Sequence, residues 1–508
     1  VTSTPTTSAP AAVPSRPATV TRSLATVAAF RLMGMLLSVA TTSLLARLLE
    51  PADFGVMDMM GTLVALFTTA SDLGLSAATV QRKEVSHAQV STLFWLNTLM
   101  GGALWLGCVA AGPALAWFYH EPRLVPVAAV MGTAFLFSGL GAQPMALLHR
   151  SMSFGRMGIA ETLPPLVGLA LALVIAVSGG GYWALVANFV GAAVVRTAGY
   201  FVASRFRPTR PRRGTGVRTM LRFGGYLVAF NLLNFVIRNL DYVLLGRLWG
   251  GQELAFYVRA YWLFSLPLLF NRIGDRVALP VLSRYQEDAP MFQELYGGLF
   301  QAVALTTAAA SAFVFAHQDL TVRFFLGPKW LPSLPSLRWL AVLGLIHPFL
   351  HTTGLLYTSK GRSRTMFRWA LFAAMPVSVA IALGVREGGP GIARNFTLTW
   401  LVLCWLGFYI AYRTTGIRAL QVLRAARAPV LVTASSVFGS WVVTRSLPSS
   451  TPVAVQFLIA AATMALLHGV LVVRFLRRAE LLHVWRSARS QREPTATSKA
   501  NIQGETVA

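Results

Sequence analysis

Cysteine is nearly missing from this chain, with only Cys108 and Cys404 among 508 residues. Both lie inside apolar segments, which excludes a disulfide framework and a thiolate metal site and leaves them as small core residues. Charge is also scarce. With 12% charged against 55% hydrophobic residues, the chain has too few solvated groups to coat several soluble domains. Acids are the scarcest, 18 against 44 Lys and Arg. No Ser-His-acid set, zinc spacing or nucleotide-binding loop occurs, so neither a catalytic nucleophile nor a cofactor or metal is expected. The first 20 residues, mainly Thr, Ser, Pro and Ala, lack the apolar core of a signal peptide and read as a disordered cytoplasmic tail.

Long uncharged runs are what the chain does have. Thr92 to Phe118, Leu124 to Leu148 and Leu295 to Ala316 contain no formal charge, and each can cross a hydrocarbon core of roughly 30 Å as a helix. The whole chain reads as an all-α polytopic membrane protein. Fourteen spans are expected, near 24–46, 54–78, 92–118, 124–148, 157–178, 180–203, 223–246, 254–280, 295–316, 337–358, 366–385, 394–412, 428–445 and 453–474.

A net charge of +26 would suggest nucleic acid in a soluble protein, but its distribution points to topology. Basic residues gather in alternate loops: Arg82 and Lys83; Arg150 and Arg156; seven arginines from Arg205 to Arg222; Lys360 to Arg368; Arg413 to Arg427; and the tail from Arg474. Those loops are assigned to the cytoplasm, which puts both termini there, in the bacterial inner membrane, and leaves no nucleic-acid partner. The expected organisation is a disordered N-terminus over 1–22, helices 1–6 over 23–204, an Arg-rich linker over 205–222, helices 7–12 over 223–414, helices 13–14 over 415–478 and a cytoplasmic tail over 479–508. A weak repeat accompanies the two helix sets: Leu44-Leu-Ala-Arg-Leu48 recurs as Leu244-Leu-Gly-Arg-Leu248, and Asp53 is answered by Glu253. The largest outer loop, His317 to Ser336, carries Lys329 and Trp330 and reads as an interfacial anchor.

Leu44-Leu-Ala-Arg-Leu-Leu-Glu-Pro-Ala-Asp-Phe-Gly55, Asp72-Leu-Gly-Leu-Ser-Ala-Ala78, Val80-Gln-Arg82 and Ser91-Thr-Leu-Phe-Trp-Leu-Asn97 resemble the Wzx-type polysaccharide exporter and flippase family. That family belongs to the superfamily of the MATE multidrug exporters and the lipid II flippase, and Pro280 to Asp288 is similar to its second-lobe segment. The resemblance implies two six-helix bundles in a V shape, plus two C-terminal helices, around a cavity with alternating access. It also implies an undecaprenyl-pyrophosphate-linked oligosaccharide as substrate, membrane lipids as surroundings, and polysaccharide polymerase and export machinery as partners. A MATE-like small-molecule exporter is the nearest alternative. A membrane polymerase or ligase fits less well, because no long outer loop is available to hold its catalytic groups.

Ionisable residues within spans are costly and therefore mark function unless something else explains them. Arg31 either snorkels to the surface or faces the cavity. Arg238 and Asp241, three apart, either neutralise each other or separate into roles. Arg272 and Arg276 outnumber Asp275 between them, leaving positive charge suited to pyrophosphate, unless they simply lie at the cytoplasmic end. These four arginines are the substrate-binding candidates. Asp58, Asp72, Asp241 and Asp275 are candidates for coupling to a proton or sodium gradient, with capping or interfacial solvation as the plain alternative. His347 and His351, one turn apart, fit packing, a proton relay or half of a metal site.

Overall fold

The computed structural model describes residues 17–71, 79, 85–151, 154–211 and 239–490. All regular structure among them is helical. The chain divides into two compact units, Val1–Ala255 and Phe256–Ala508. Eight stretches of described residues are long and apolar enough to cross a membrane, or nine if a bent pair counts as one span. Large side chains stand exposed along them, with Trp117, Val177 and Val202 each 78% accessible. Water would penalise such a surface, whereas lipid accepts it.

In the first unit α1 (Pro17–Leu48) and α2 (Pro51–Ser71) precede two hairpins, α3 (His87–Tyr119) with α4 (Leu124–Arg150) and α5 (Phe154–Val177) with α6 (Tyr182–Ser204). A capping box starts α3: Ser86 accepts from the backbone of Gln89 while the Gln89 side chain accepts from that of Ser86. Glycine decides how closely α3 and α4 meet. A Cβ on Gly101 would lie 2.4 Å from the Phe135 carbonyl oxygen, and one on Gly139 would lie 2.4 Å from that of Asn97. Helices surrounded by lipid associate through such close backbone approach, because burying one leucine against another gains little over lipid. Side-chain bonds to carbonyls reinforce it: Trp105 Nε1 donates to Ala129 at 3.0 Å and Thr197 Oγ1 to Phe137 at 2.7 Å.

The helix α7 (Leu240–Ser265) bends at Gly250, whose φ of +83° is available to glycine at no steric cost. Its described N-terminal part packs in the first unit, where the two repeat segments meet: a Cβ on Gly55 would lie 2.3 Å from the Gly251 carbonyl carbon.

The second unit continues with α8 (Leu269–Arg284), α9 (Ala289–Leu305), α10 (Thr307–Ala316), α11 (Gln318–Phe325), α12 (Leu334–Gly344), α13 (His347–Ser359), α14 (Ser363–Gly384), α15 (Gly388–Thr415), α16 (Ala419–Arg445) and α17 (Val453–Ser490). The apolar stretch Ser363–Thr415 folds back on itself. A 3-10 turn at Val385–Glu387 and Gly388, at φ +72°, reverse it, and Gly384 packs on Gly391 with 2.5 Å from a Cβ to the carbonyl oxygen. The helix α16 is pinned to α9 through carbonyls: Thr433 Oγ1 donates to Ala304 at 3.0 Å and Gln301 to Ala425 at 3.1 Å. His317 contacts Ser440 at 3.1 Å; since Ser440 spends its only proton on Ala460, His317 Nε2 must be the donor.

Three expectations need correction. The continuous span 254–280 is broken at 266–268, where Pro267 supplies no backbone donor. The span 337–358 bends by 47° between Pro328–Gly344 and His347–Ser359. In the segment 317–336 Trp330 is not an exposed aromatic anchor: α11 and a 3-10 turn at Pro328–Ser333 carry it into the core, 0% exposed and edge-on to Phe256 at 5.9 Å. The helix α1 starts at Pro17 and α17 runs to Ser490, so both enter segments read as tails, and 212–238 lies outside the described residues.

The glycine contacts imply an asymmetric response to methyl insertion. Gly101→Ala should destabilise by about 1–3 kcal/mol, because the helix pair must separate, whereas Gly102→Ala, with nothing within 4 Å, should not. Thermal unfolding of the purified variants in detergent distinguishes them, and equal melting would remove the packing argument.

Candidate functional site

The sequence candidates are scattered. Arg238 and Asp72 lie outside the described residues; Arg31 sits on α1 and Arg272 and Arg276 on α8, but their side chains are likewise outside the description. Asp58 is half-buried on α2. Asp241, 6% exposed, occupies the first turn of α7, where a carboxylate favours the positive helix end.

For Asp275 the fold shows a titratable partner. The helices α8 and α13 pack together immediately after the two breaks, and polar groups line their seam. Asn271, 6% exposed, donates through Nδ2 to the Pro348 carbonyl at 3.1 Å, and its Oδ1 accepts from Thr307 on α10 at 2.7 Å. One turn further along each helix, Asp275 Oδ1 faces His351 Nδ1 at 3.7 Å, with 32% and 41% of the respective side chains exposed. The spacings of four on α8 and three on α13 keep both rungs on one face of each helix. His347 opens α13 between the rings of Phe264 and Trp400, its Nδ1 buried with no hydrogen-bond partner among the described residues. No third metal-ligating side chain joins the two histidines among the described residues. Below the seam Tyr296 of α9 bonds Thr352 at 2.7 Å and lies 3.4 Å from Tyr412 of α15. Sequence spacing singled out Asp275 and the histidines separately; their pairing and the role of Asn271 depend on helices distant in the chain.

A second cluster ties the ends of helices in the first unit. Asp53 Oδ1 accepts from the backbone N–H of Tyr182, the first residue of α6, at 3.1 Å, and Oδ2 accepts from that of Glu50 at 3.2 Å. One carboxylate thus serves two helix N-termini, its own and one 129 residues away. Arg123 lies over the Tyr182 ring at 5.7 Å and binds both carboxylate oxygens of Glu121 at 2.8 Å. That hydrogen-bonded guanidinium, in the loop between α3 and α4, holds the Glu121 carboxyl below its ordinary value. Arg247 of the second repeat reaches His120 Nδ1 at 2.8 Å. The repeat predicted neither contact; the match of Asp53 to Glu253 marks position, whereas Asp53 acts on α6.

Helical units of apolar spans, with broken helices carrying polar groups, define a polytopic helical membrane protein. Among solved structures the chain is similar to the lipid II flippase MurJ in an inward closed conformation, with a TM-score of 0.67 at 11% identity, covering 89% of this chain and 99% of that one. It is also similar to an inward-facing MATE multidrug resistance transporter, with a TM-score of 0.56 at 14% identity over 75% and 94% of the two chains. These likenesses establish the shared fold.

Residues 44–335 match the family described as Polysaccharide biosynthesis protein, and the chain belongs to that family. Its relatives include the lipopolysaccharide biosynthesis protein WzxC of Escherichia coli (strain K12), 27% identical over 74% of this chain and 77% of that protein. The teichuronic acid biosynthesis protein TuaB of Bacillus subtilis (strain 168) is 23% identical over 72% and 76%. The succinoglycan biosynthesis transport protein ExoT of Rhizobium meliloti (strain 1021) is 24% identical over 69% and 72%.

Removing the Asp53 carboxylate leaves the Tyr182 N–H without its acceptor. Asp53→Ala should cost about 1–2 kcal/mol, and Asp53→Asn, which keeps one oxygen, should cost less. Melting temperatures of the two variants test this order, and an Ala variant as stable as wild type would contradict the clasp.

Proposed function

We propose that this protein is a flippase that moves undecaprenyl-pyrophosphate-linked oligosaccharide repeat units from the cytoplasmic to the outer face of the inner membrane by alternating access. Family membership over residues 44–335 carries this reading, because relatives matching about three quarters of the chain are named for building or transporting cell-surface polysaccharides. The fold shared with a lipid II flippase supports it. In this reading fourteen spans form two V-shaped lobes of six, over 23–204 and 223–414 around the linker 205–222, with the helices of 415–478 added and both termini cytoplasmic. The transported product would feed O-antigen, capsule or exopolysaccharide assembly, and turnover would break no bond.

The physical demand on such a protein is the pyrophosphate. Leaving water strips it of hydration, so the cavity must supply donors and countercharge. Guanidinium supplies both and stays charged, which makes Arg31, Arg238, Arg272 and Arg276 the proposed head-group ligands. The excess of arginine over acids in the spans favours an anionic substrate over the cationic amphiphiles of a drug exporter.

Arg31→Ala or Arg272→Ala should abolish polymer export at normal membrane abundance, and Lys should restore it partly, because the charge returns without the planar fork. Snorkelling arginines would give full tolerance of Lys and a change mainly in abundance. Polymer yield and immunoblots of the membrane fraction separate the two patterns. Reporter fusions near Arg212 and after Arg492 should both report the cytoplasm, and a periplasmic signal at either position would overturn the topology.

A further inference from the structure

The seam between α8 and α13 places two titratable groups of opposite type against each other on two helices that each begin at a break. Its first rung, Asn271 to the Pro348 carbonyl, is neutral and buried, and it fixes the register of the pair. Its second rung, Asp275 to His351, is the one whose attraction depends on protonation. A carboxylate facing a neutral imidazole at 3.7 Å gains little, whereas the same carboxylate facing imidazolium forms an ion pair in surroundings of low dielectric. Both side chains remain about a third or more exposed. An ionised pair exposed to hydrocarbon is costly, so in a membrane this opening belongs toward water.

The groups around the pair are His347, one turn earlier on α13, Tyr296 of α9, held by Thr352, and Tyr412 of α15, which lies on Tyr296. Thr307 of α10 completes the neutral rung. Arg272 and Arg276 share α8 with Asp275, and their side chains lie outside the described residues.

We propose that Asp275 and His351 bind the ion that drives transport, and that this ion is a proton. The proposal rests on the flippase reading above and names its energy source. Chemistry selects the ion: sodium, a hard cation, takes several oxygen ligands, whereas this seam offers one carboxylate opposite a nitrogen. In the cycle His351 accepts a proton from water on one side, and the imidazolium draws Asp275 in and tightens α8 on α13. The proton leaves from the same imidazole to water on the other side, and the rung relaxes. Since each helix starts at a break, the pair can tilt without unwinding a longer span.

The test uses the full-length protein in phospholipid vesicles, with the lipid-linked oligosaccharide that accumulates in a deletion strain as the transported probe. If one proton moves per sugar unit, a one-unit pH gradient should shift the equilibrium distribution of the probe by about tenfold. Asp275→Asn and His351→Gln should each reduce that shift to less than about twofold. Asn271→Ala, which loosens the seam without removing a titratable group, should slow transport yet keep the tenfold shift. A sodium gradient at equal pH should leave the distribution unchanged. Retention of the full shift in both the Asp275 and His351 variants, or a response to sodium in place of protons, overturns the proton site while leaving the flippase reading intact. Wild-type vesicles that move no lipid-linked sugar overturn both.

Discussion

Lipid tails are as apolar as leucine, so helices within a membrane gain little by burying leucines against each other. Their association depends instead on backbones close enough for dispersion and on side chains that reach a neighbour's carbonyl. This chain uses both devices throughout. Glycines at 101, 139, 384 and 391 remove the Cβ where helices touch, and Thr197, Thr397 and Thr433 each donate to a carbonyl on another helix. Asn271 does the same at the Pro348 carbonyl, next to a break where helical continuity fails. Where helices are interrupted, freed backbone groups in hydrocarbon must find partners.

In the proposed transport cycle this division of labour would set a rigid hairpin beside a seam that moves. The long uninterrupted hairpin α3–α4 is joined by glycine contacts that tolerate no separation. By contrast α8 and α13 are short, begin at breaks, and meet through one neutral and one titratable rung. A polar seam of this kind is specific but weak, since its second rung gains most of its attraction only when His351 is charged. In the first unit Asp53 is a carboxylate held by two backbone N–H groups at helix ends.

Much of the architecture was legible because membrane burial acts on composition. Long apolar runs set the spans at 92–118, 124–148, 157–178 and 180–203, each matched by a helix of nearly the same bounds. Motif text around Leu44 to Asn97 identified the family, which the match over residues 44–335 bears out. Breaks were harder to read: Pro267 and Pro348 stand at or beside the two breaks, but proline is tolerated within membrane helices, so its presence alone does not tell a kink from an interruption. Trp330 misled for a similar reason, because a tryptophan between prolines and a lysine suits an interface as well as a turn that folds into the core.

Hydropathy and charge, properties that each residue carries by itself, were sufficient for membrane class and most helical spans, and contiguous motif text for the family. Which polar groups meet is a property of pairs, and only the tertiary structure decided it. Asp275 and His351 are separated by 76 residues, the difference of their numbers, and Asp53 and Tyr182 by 129. Neither distance leaves a periodic trace in the chain. Each contact arises where two helices happen to cross, and the crossing is set by small residues and helix breaks whose packing partners the sequence does not name.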